Sequence, residues 1–244
     1  MTSPRALLVS LRDPHDPMAR QELRCFADRA DLPHDRVDLH PMVEGRPDRG
    51  RLRRYDAVFF GGSGAYSVLD DVQWIKEGMN TCLEVMEVRV PAFASCFGFQ
   101  GLALVLGGRV VKDDDRQELG AYELDLTDAG VADPVLGVLP RRFWGQEGHH
   151  DHVDVLPQGV TLLATGSREC PNQAFKVDGA PFWASQFHPE LTVGTTIERF
   201  RHYLALYSQP GHGERLEKHI LSGVDSPEMG EVLARLVRLG PGYA

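Results

Sequence analysis

The chain contains the sequence Pro91-Ala92-Phe93-Ala94-Ser95-Cys96-Phe97-Gly98-Phe99-Gln100, in which a short apolar run ends at a lone cysteine and a helical pattern follows. This order predicts a strand over 91–95, a tight turn at Cys96 and a helix over 97–106. A nucleophile at the tip of such a turn is exposed, and the glycine two residues later lets the backbone segments approach closely. The stretch therefore predicts an α/β fold with a thiol nucleophile at the end of a strand.

A second motif follows 92 residues after the cysteine (188 − 96) and consists of Gln186-Phe187-His188-Pro189-Glu190. Residues two apart on an extended chain point to the same side, so His188 and Glu190 can lie together. The carboxylate would accept one imidazole N–H and leave the other ring nitrogen to exchange a proton with Cys96. We therefore predict a catalytic triad of Cys96, His188 and Glu190. The histidine and the helix N-terminus are expected to favour the thiolate.

Short apolar runs alternate with amphipathic segments up to residue 106. Strands are predicted at 6–11, 37–39, 57–60 and 91–95, and helices at 18–30, 72–88 and 97–106. This rhythm predicts the α/β class, with a mostly parallel central sheet and helices on both faces. Short β-type runs at 122–126, 153–156, 161–164, 174–177 and 182–185 predict a small antiparallel extension of that core.

The remaining segment has helical patterns. A helix is expected over 195–207, a linker over 209–213, and short helices over 215–221 and 229–239. We therefore divide the chain into one α/β domain, 1–208, and a C-terminal helical extension, 209–244. The extension could cover the active site or form a contact in a homo-oligomer, and both roles stay open.

Composition limits the classes of function. The 244 residues are 42% hydrophobic and 25% charged, with a formal net charge of −9. This charge argues against broad electrostatic binding to nucleic acid or to an anionic membrane, and no apolar run is long enough to span a bilayer. The four cysteines are scattered without a C-x-x-C pair, so we expect a reducing, cytoplasmic setting.

The glycine-rich sequence Gly61-Gly62-Ser63-Gly64 follows the predicted strand at 57–60 and could supply backbone N–H groups. A thiol that attacks an amide carbonyl needs such donors where the oxyanion forms. The amides of Gly62 and Phe97 are the predicted oxyanion donors. A phosphate-binding role is disfavoured, because neither the P-loop nor the G-x-G-x-x-G spacing is present.

The histidine-rich sequence Gly148-His149-His150-Asp151-His152 allows two interpretations. Imidazoles and a carboxylate so close together could bind a transition metal. Alternatively, they form a polar loop that lines the substrate pocket. We favour the loop, because the sequence contains no second cluster of His, Cys and Asp of similar density. We expect neither a metal nor a cofactor.

Together these motifs resemble the class I (triad-type) glutamine amidotransferases, over about residues 5–208. The elbow at 96–100 is similar to the family's Cys-x-Gly-x-Gln, and 186–190 matches its second signature closely. The stretch at 149–151 is similar to the His-Gly-Asp region in the glutaminase domain of GMP synthases. One departure is Ala94, where the family usually has glycine. The resemblance implies a glutaminase-type α/β fold with the triad named above.

The resemblance also implies a set of substrate-binding residues. Gln100 is expected to hold the amino-acid end of the substrate. Gly61 and Ser63 resemble the end of the family's oxyanion strand, and His149 and Asp151 belong to the loop over the site. The implied substrate is glutamine or another small γ-glutamyl molecule.

The implied reaction is hydrolysis of the γ-carboxamide of glutamine through a γ-glutamyl thioester, with release of ammonia. Residues 209–244 hold no candidate for a synthase, so the ammonia would pass to a separate synthase subunit. Two alternatives stay open. A stand-alone γ-glutamyl hydrolase would use the same triad on peptides or amines, and a catalytically silent regulatory subunit would keep the fold only to bind a partner.

Overall fold

One large mixed sheet organises the chain. The computed structural model describes residues 3–204, 213–241 and 243. The strands are β1 (Ala6–Ser10), β2 (Val37–Pro41), β3 (Ala57–Phe60), β4 (Ala92–Ser95), β5 (Arg109–Lys112), β6 (Glu118–Leu126), β7 (Arg142–His149), β8 (Asp151–Val155), β9 (Val160–Thr165), β10 (Ala174–Val177) and β11 (Phe182–Ser185). The helices are α1 (Met18–Arg29), α2 (Arg49–Leu52), α3 (Gln73–Val88), α4 (Phe97–Val105), α5 (Asp128–Val131), α6 (Val193–His202), α7 (Gly213–Leu221) and α8 (Gly230–Leu239). None of these described helices is long and apolar enough to cross a bilayer.

The main sheet has a parallel half and an antiparallel half. Among the described residues its strand order is β2-β1-β3-β4-β11-β10-β9-β6-β7. The contacts from β2 to β11 along this order are parallel, and those from β11 to β7 are antiparallel. Strands β5 and β8 form a separate antiparallel ribbon. The predicted fold class, with its parallel centre and antiparallel extension, is confirmed.

Helices cover both faces of the parallel half. Because side chains alternate along a strand, successive residues of β1 enter opposite cores. Leu8 belongs to the core that contains Phe26 of α1 and Leu233 of α8, whereas Leu7 belongs to the core that contains Ile75 of α3. Burying each such side chain contributes about 1.5–3 kcal/mol. With both faces covered, the ends of the strands are where functional side chains can meet a cavity.

The sequence pattern does not predict β5 or β7. Strand β7 carries glycines at two interior positions and charged residues at others, which gives it a low strand propensity. Pairing with the long strand β6 offsets this, and Arg142 Nε lies 3.0 Å from Asp125 Oδ1 across the pair. The predicted helix over 195–207 corresponds to α6. Its part beyond residue 204 lies outside the described residues. So does the predicted linker over 209–213, except Gly213, which is the first residue of α7.

The C-terminal helices are attached to α6 and to the sheet by polar and apolar contacts. Asp225 Oδ1 accepts a hydrogen bond from the Val193 amide at 2.8 Å, and Ser226 Oγ accepts one from the Trp144 amide at 2.8 Å. Ile220 of α7 is buried in a small cluster with Phe200 and neighbouring apolar residues. Division of the chain into domains 1–208 and 209–244 stays a prediction.

A side chain at Gly98 is expected to disturb the core. A Cβ atom there would lie 3.0 Å from the Cβ atoms of Ala94 and Phe60 and 3.1 Å from the Phe60 carbonyl oxygen. Because these atoms belong to two packed strands, we expect Gly98→Ala to lower the free energy of unfolding by about 1–3 kcal/mol. Urea denaturation followed by circular dichroism measures this change.

The matched control is Gly194→Ala, because Gly194 is the second residue of α6 as Gly98 is of α4. A Cβ atom on Gly194 would meet its nearest neighbour at 3.6 Å, an ordinary contact. This variant should therefore keep or slightly gain stability. Equal losses in both variants would contradict the steric explanation.

Candidate active site

The candidate site lies where three neighbouring strands end. Strands β3, β4 and β11 are adjacent and parallel, so their carboxyl ends meet at one edge of the sheet. Gly61 follows β3, Cys96 follows β4 and Gln186 follows β11. The amide of Cys96 donates to the carbonyl oxygen of Ser185 at 2.7 Å, which ties the exit of β4 to that of β11. In open α/β sheets, ligands bind in crevices at this edge.

Cys96 has a left-handed backbone, with φ of +50° and ψ of −102°. For a residue other than glycine, such a conformation costs about 1–3 kcal/mol and persists only where the surroundings enforce it. Strand β4 is paired on both sides and α4 begins at the next residue, so the turn cannot relax. The sulfur accepts from Gln186 Nε2 at 3.6 Å, and the thiol faces the carbonyl oxygen of Gly148 at 3.9 Å.

The electrostatic surroundings favour the neutral thiol. Burial raises the pKa of Cys96 well above its usual range, and the charges of Glu147 and Glu190 raise it further. Arg199 and a hydrogen bond from the Phe97 amide lower this pKa by a smaller amount. The sequence-based expectation of a stabilised thiolate is therefore wrong for this arrangement. That expectation included the helix N-terminus and the histidine but could not include burial or the two carboxylates.

His188 and Glu190 form a buried pair. His188 Nδ1 lies 2.7 Å from Glu190 Oε1. Burial alone would raise the pKa of the Glu190 carboxyl, but the charge of His188, its hydrogen bond and the nearby Arg199 together lower that pKa below its usual value. Because an ionised carboxylate can only accept, Nδ1 donates the hydrogen of this contact. The other ring nitrogen, Nε2, is then the one available for proton exchange.

A cavity of about 560 Å³ opens beside the cysteine. Its wall includes six of the predicted residues, namely Ser63, Cys96, Phe97, Gln100, His149 and Asp151. Gln100 Nε2 donates to the Asp151 carbonyl oxygen at 2.6 Å and to Gln186 Oε1 at 3.1 Å. The Asp151 carboxylate accepts from Ser67 Oγ. The structure thus brings these residues around one cavity, and their contact with a substrate stays a prediction.

Gly61 and Gly62 face a buried carboxylate. The amide of Gly62 donates to Glu22 Oε1 at 2.9 Å, and a Cβ atom on Gly61 would clash with the same carboxyl group. Glu22 is fully buried and also accepts from Arg12 Nη2 at 2.9 Å. The prediction that the Gly62 amide is available to an oxyanion is therefore wrong for this conformation, because Glu22 takes its hydrogen bond. The predicted Phe97 amide points toward the Cys96 sulfur.

Four buried residues near the site were not predicted from the sequence, namely Glu22, Glu147, Gln186 and Arg199. For two of them the sequence contains a signal that could have predicted them. Gln186 is two residues before His188, so on an extended chain both point to the same side. Glu22 lies four residues from both Met18 and Phe26, which places a carboxylate in the apolar stripe of α1.

One cluster among the described residues has the spacing of a metal site. One donor atom from each of Glu118, Glu147 and His149 lies within 4.8 Å of the others. Burial raises the pKa of Glu147 to about 7, although His149 opposes the shift. Burial lowers the pKa of His149, but hydrogen bonds to Glu118 and Glu147 raise it more, to about 9. The cluster overlaps the histidine-rich stretch at His149 alone, since His150 pairs with Asp114 at 3.2 Å.

Comparisons with known proteins agree with this geometry. A family model described as glutamine amidotransferase class-I matches residues 46–202. A subunit of the glutamine-hydrolysing GMP synthase from Saccharolobus solfataricus is 33% identical over 156 residues, which are 64% of this chain and 78% of the relative. The protein of the same name from Sulfolobus acidocaldarius is 32% identical over 163 residues, which are 66% of this chain and 82% of the relative.

Solved structures show the same fold. A glutamine amidotransferase from Thermotoga maritima is 18% identical and has a TM-score of 0.73, with 98% of both chains covered. A GMP synthase subunit from Thermoplasma acidophilum is 23% identical and has a TM-score of 0.60, with 85% of this chain covered and 96% of that one. Because the family model spans more than half of the sequence, the chain belongs to the class I glutamine amidotransferase family.

Proposed function

We propose that this chain hydrolyses the γ-carboxamide of glutamine with Cys96 as the nucleophile. The observation that carries the proposal is the strained cysteine at the end of β4, next to the strand end that leads to the buried His188–Glu190 pair. Strain of this kind concentrates at functional sites, and here it holds a thiol at the edge of a cavity. Membership of the amidotransferase family supports the same reaction.

In the proposed mechanism, Cys96 Sγ attacks the δ-carbon of glutamine while the thiol proton passes to His188 Nε2. Glu190 accepts from Nδ1 and stabilises the imidazolium. The Phe97 amide donates to the tetrahedral oxyanion. Collapse of this intermediate breaks the C–N bond, and His188 returns the proton to the departing ammonia. Water then adds to the thioester with His188 as base, releasing glutamate and restoring the thiol.

A second oxyanion donor requires a change at Gly62. Removing one such donor typically costs about 10²–10³ in rate, so one amide alone would leave the site weakly active. The Gly62 amide is bound to Glu22, and glycine has the backbone freedom to turn its peptide away. The proposed mechanism therefore includes rotation of the peptide that precedes Gly62 toward the cavity.

Transfer of ammonia to a separate synthase completes the proposal. The relatives from S. solfataricus and S. acidocaldarius are each named as one subunit of a glutamine-hydrolysing GMP synthase, a name that implies association with another chain. A docked synthase could supply the interactions that turn the Gly62 amide. In that case glutamine hydrolysis by the chain alone would be slow.

A stand-alone γ-glutamyl hydrolase is the second candidate, and the size of the cavity favours it. About 560 Å³ lies within the range of pockets that hold drug-sized ligands, which exceeds the needs of one free amino acid. Asp70, Lys112 and Asp114 also line this cavity, so its wall suits a polar leaving group larger than ammonia.

The two candidates differ in the substrate that the isolated chain turns over. We expect ammonia and glutamate from L-glutamine at a slow rate, and little turnover of a γ-glutamyl dipeptide. Coupled assays of ammonia and glutamate measure both, with Cys96→Ala as the control that should abolish them. Faster turnover of the dipeptide than of glutamine would favour the hydrolase. Full activity in Cys96→Ala would contradict both candidates.

The charge of Glu190 is expected to be essential for turnover. In Glu190→Gln the neutral amide can no longer stabilise the imidazolium or fix its tautomer, so kcat should fall by about 10³–10⁴. The matched control is Glu198→Gln, which removes an exposed carboxylate paired with Arg24 at 3.7 Å. We expect the control to keep its activity. A kcat in Glu190→Gln within tenfold of the original chain would exclude a triad role for this carboxylate.

The pH dependence of Cys96 alkylation tests whether the resting group is a thiol. Because the pKa of Cys96 is raised, the thiolate fraction should grow about tenfold per pH unit, and iodoacetamide labelling should rise without a plateau from pH 7 to 9. Peptide mass spectrometry measures the rate at each cysteine, and the buried Cys82 is an internal control that should stay unlabelled. A plateau below pH 8 would indicate a preformed thiolate. A Cys96 no more reactive than Cys82 at pH 9 would favour the silent regulatory subunit.

A further inference from the structure

We propose that Glu118, Glu147 and His149 bind a divalent transition-metal ion, with Zn²⁺ as the best-fitting species. The three side chains come from one strand pair, where Glu118 lies opposite His149 and Glu147 lies two residues earlier on the same strand. Residues two apart point to the same side of a sheet, so the pairing itself brings the donors together. One donor atom from each lies within 4.8 Å of the others.

The hydrogen bonds of His149 fix which nitrogen can bind the ion. Its Nδ1 lies 2.9 Å from the Asp151 carbonyl oxygen, which only accepts, so Nδ1 carries a hydrogen. When the ring binds an ion it is neutral, and the lone pair of Nε2 lies on the side of two carboxylates. Nε2 lies 3.1 Å from Glu118 Oε2 and 3.4 Å from Glu147 Oε2. These three atoms could therefore all bind one cation placed between them.

A divalent ion matches the charge of this ligand set. Two carboxylate ligands carry two negative charges, and a neutral imidazole ligand adds none. A divalent ion bound by the neutral imidazole compensates both, which removes the cost of an unpaired buried charge. Among the described residues, Oε1 of the fully buried Glu147 side chain lacks a hydrogen-bond partner, and Oε2 has only its 3.4 Å contact with His149 Nε2. This carboxylate therefore keeps lone pairs that an ion in the cluster could use.

The spacing and the supporting contacts also match a metal site. Tetrahedral zinc with bonds of about 2.0–2.1 Å places its ligand atoms about 3.3 Å apart, close to the separations of 3.1 and 3.4 Å. Gln173 Nε2 donates to Glu118 Oε2 at 3.0 Å, so a second residue orients that carboxylate. An imidazole with two carboxylates suits zinc better than calcium or magnesium, which prefer oxygen ligands alone.

The proposed ion would hold one wall of the active-site cavity. His149 lines the cavity of about 560 Å³, which gives the ion a route from solvent. Glu147 and Gly148 line a second, small cavity of about 30 Å³ together with His188. Bound metal would join β6 to β7 below Gly148, whose carbonyl oxygen faces the Cys96 sulfur. The ion would thus position this wall without contacting the reacting atoms.

Metal stoichiometry in matched variants tests the proposal. Each protein is stripped with chelator, titrated with Zn²⁺ by calorimetry, and then dialysed for elemental analysis. We expect one Zn²⁺ per chain in the original protein. Affinity should fall at least tenfold in Glu118→Gln and in Glu147→Gln. The matched control is Glu123→Gln, an exposed carboxylate on the same strand β6, which should bind as before.

A separate variant distinguishes this cluster from the catalytic thiol, because Cys96 could also bind zinc. In Cys96→Ser the stoichiometry and affinity should be unchanged. Loss of the ion in this variant, with retention in Glu118→Gln, would overturn the proposal. Absence of stoichiometric Zn²⁺ in the original protein would overturn it as well.

The Co²⁺ spectrum is measured on the original chain, so it does not depend on whether any variant folds. Cobalt bound by one imidazole and two carboxylates should give ligand-field bands in the visible region without a thiolate-to-metal charge-transfer band in the near ultraviolet. A charge-transfer band would place the ion on a cysteine and overturn the proposal. None of these measurements uses glutamine turnover, so their outcome is independent of the proposed reaction.

Discussion

The left-handed backbone of Cys96 is the constraint on which the site depends. Strand β4 is hydrogen-bonded to β3 on one side and to β11 on the other, and α4 begins one residue after the strand ends. The chain must therefore reverse direction at a single residue, and close packing at Gly98 leaves no space for a wider turn. The same pairing brings the exits of β3 and β11 next to the sulfur. The strain is thus the local cost of a geometry that the whole parallel sheet enforces.

A chain of buried charges connects the catalytic pair to the glycine loop. Arg199 Nη1 lies 3.6 Å from Glu190 Oε1, and its Nη2 lies 3.9 Å from Glu22 Oε1. Glu22 in turn binds Arg12 and the Gly62 amide. In such a low-dielectric setting, breaking one member leaves its partner buried and uncompensated, which typically costs about 3–5 kcal/mol. The charge that orients His188 and the carboxylate that holds Gly62 therefore belong to one electrostatic unit.

The sequence predicts those parts of the structure that depend on local pattern. Strand β3 is a continuous apolar run, and β4 and β11 are apolar up to a final serine. The cysteine and histidine motifs directly follow β4 and β11. Strand β7 escapes prediction because its pairing with β6, and not its own composition, makes it a strand. The contact between Glu22 and Gly62 could not be predicted for a similar reason. It joins a helix to a loop that only the folded chain brings together. The pKa of Cys96 depends on carboxylates that only the folded chain brings near.

The contact between α1 and α8 also determines when the chain can fold. Phe26, near the beginning of the sequence, shares its core with Leu233 and Leu236, close to the other end. During synthesis, the apolar face of β1 and α1 has no complete cover until the ribosome has released residues beyond 237. Such long-range contacts slow folding and expose apolar surface to other molecules. The apolar face of β1 and α1 therefore reaches its native cover only when α8 packs against it.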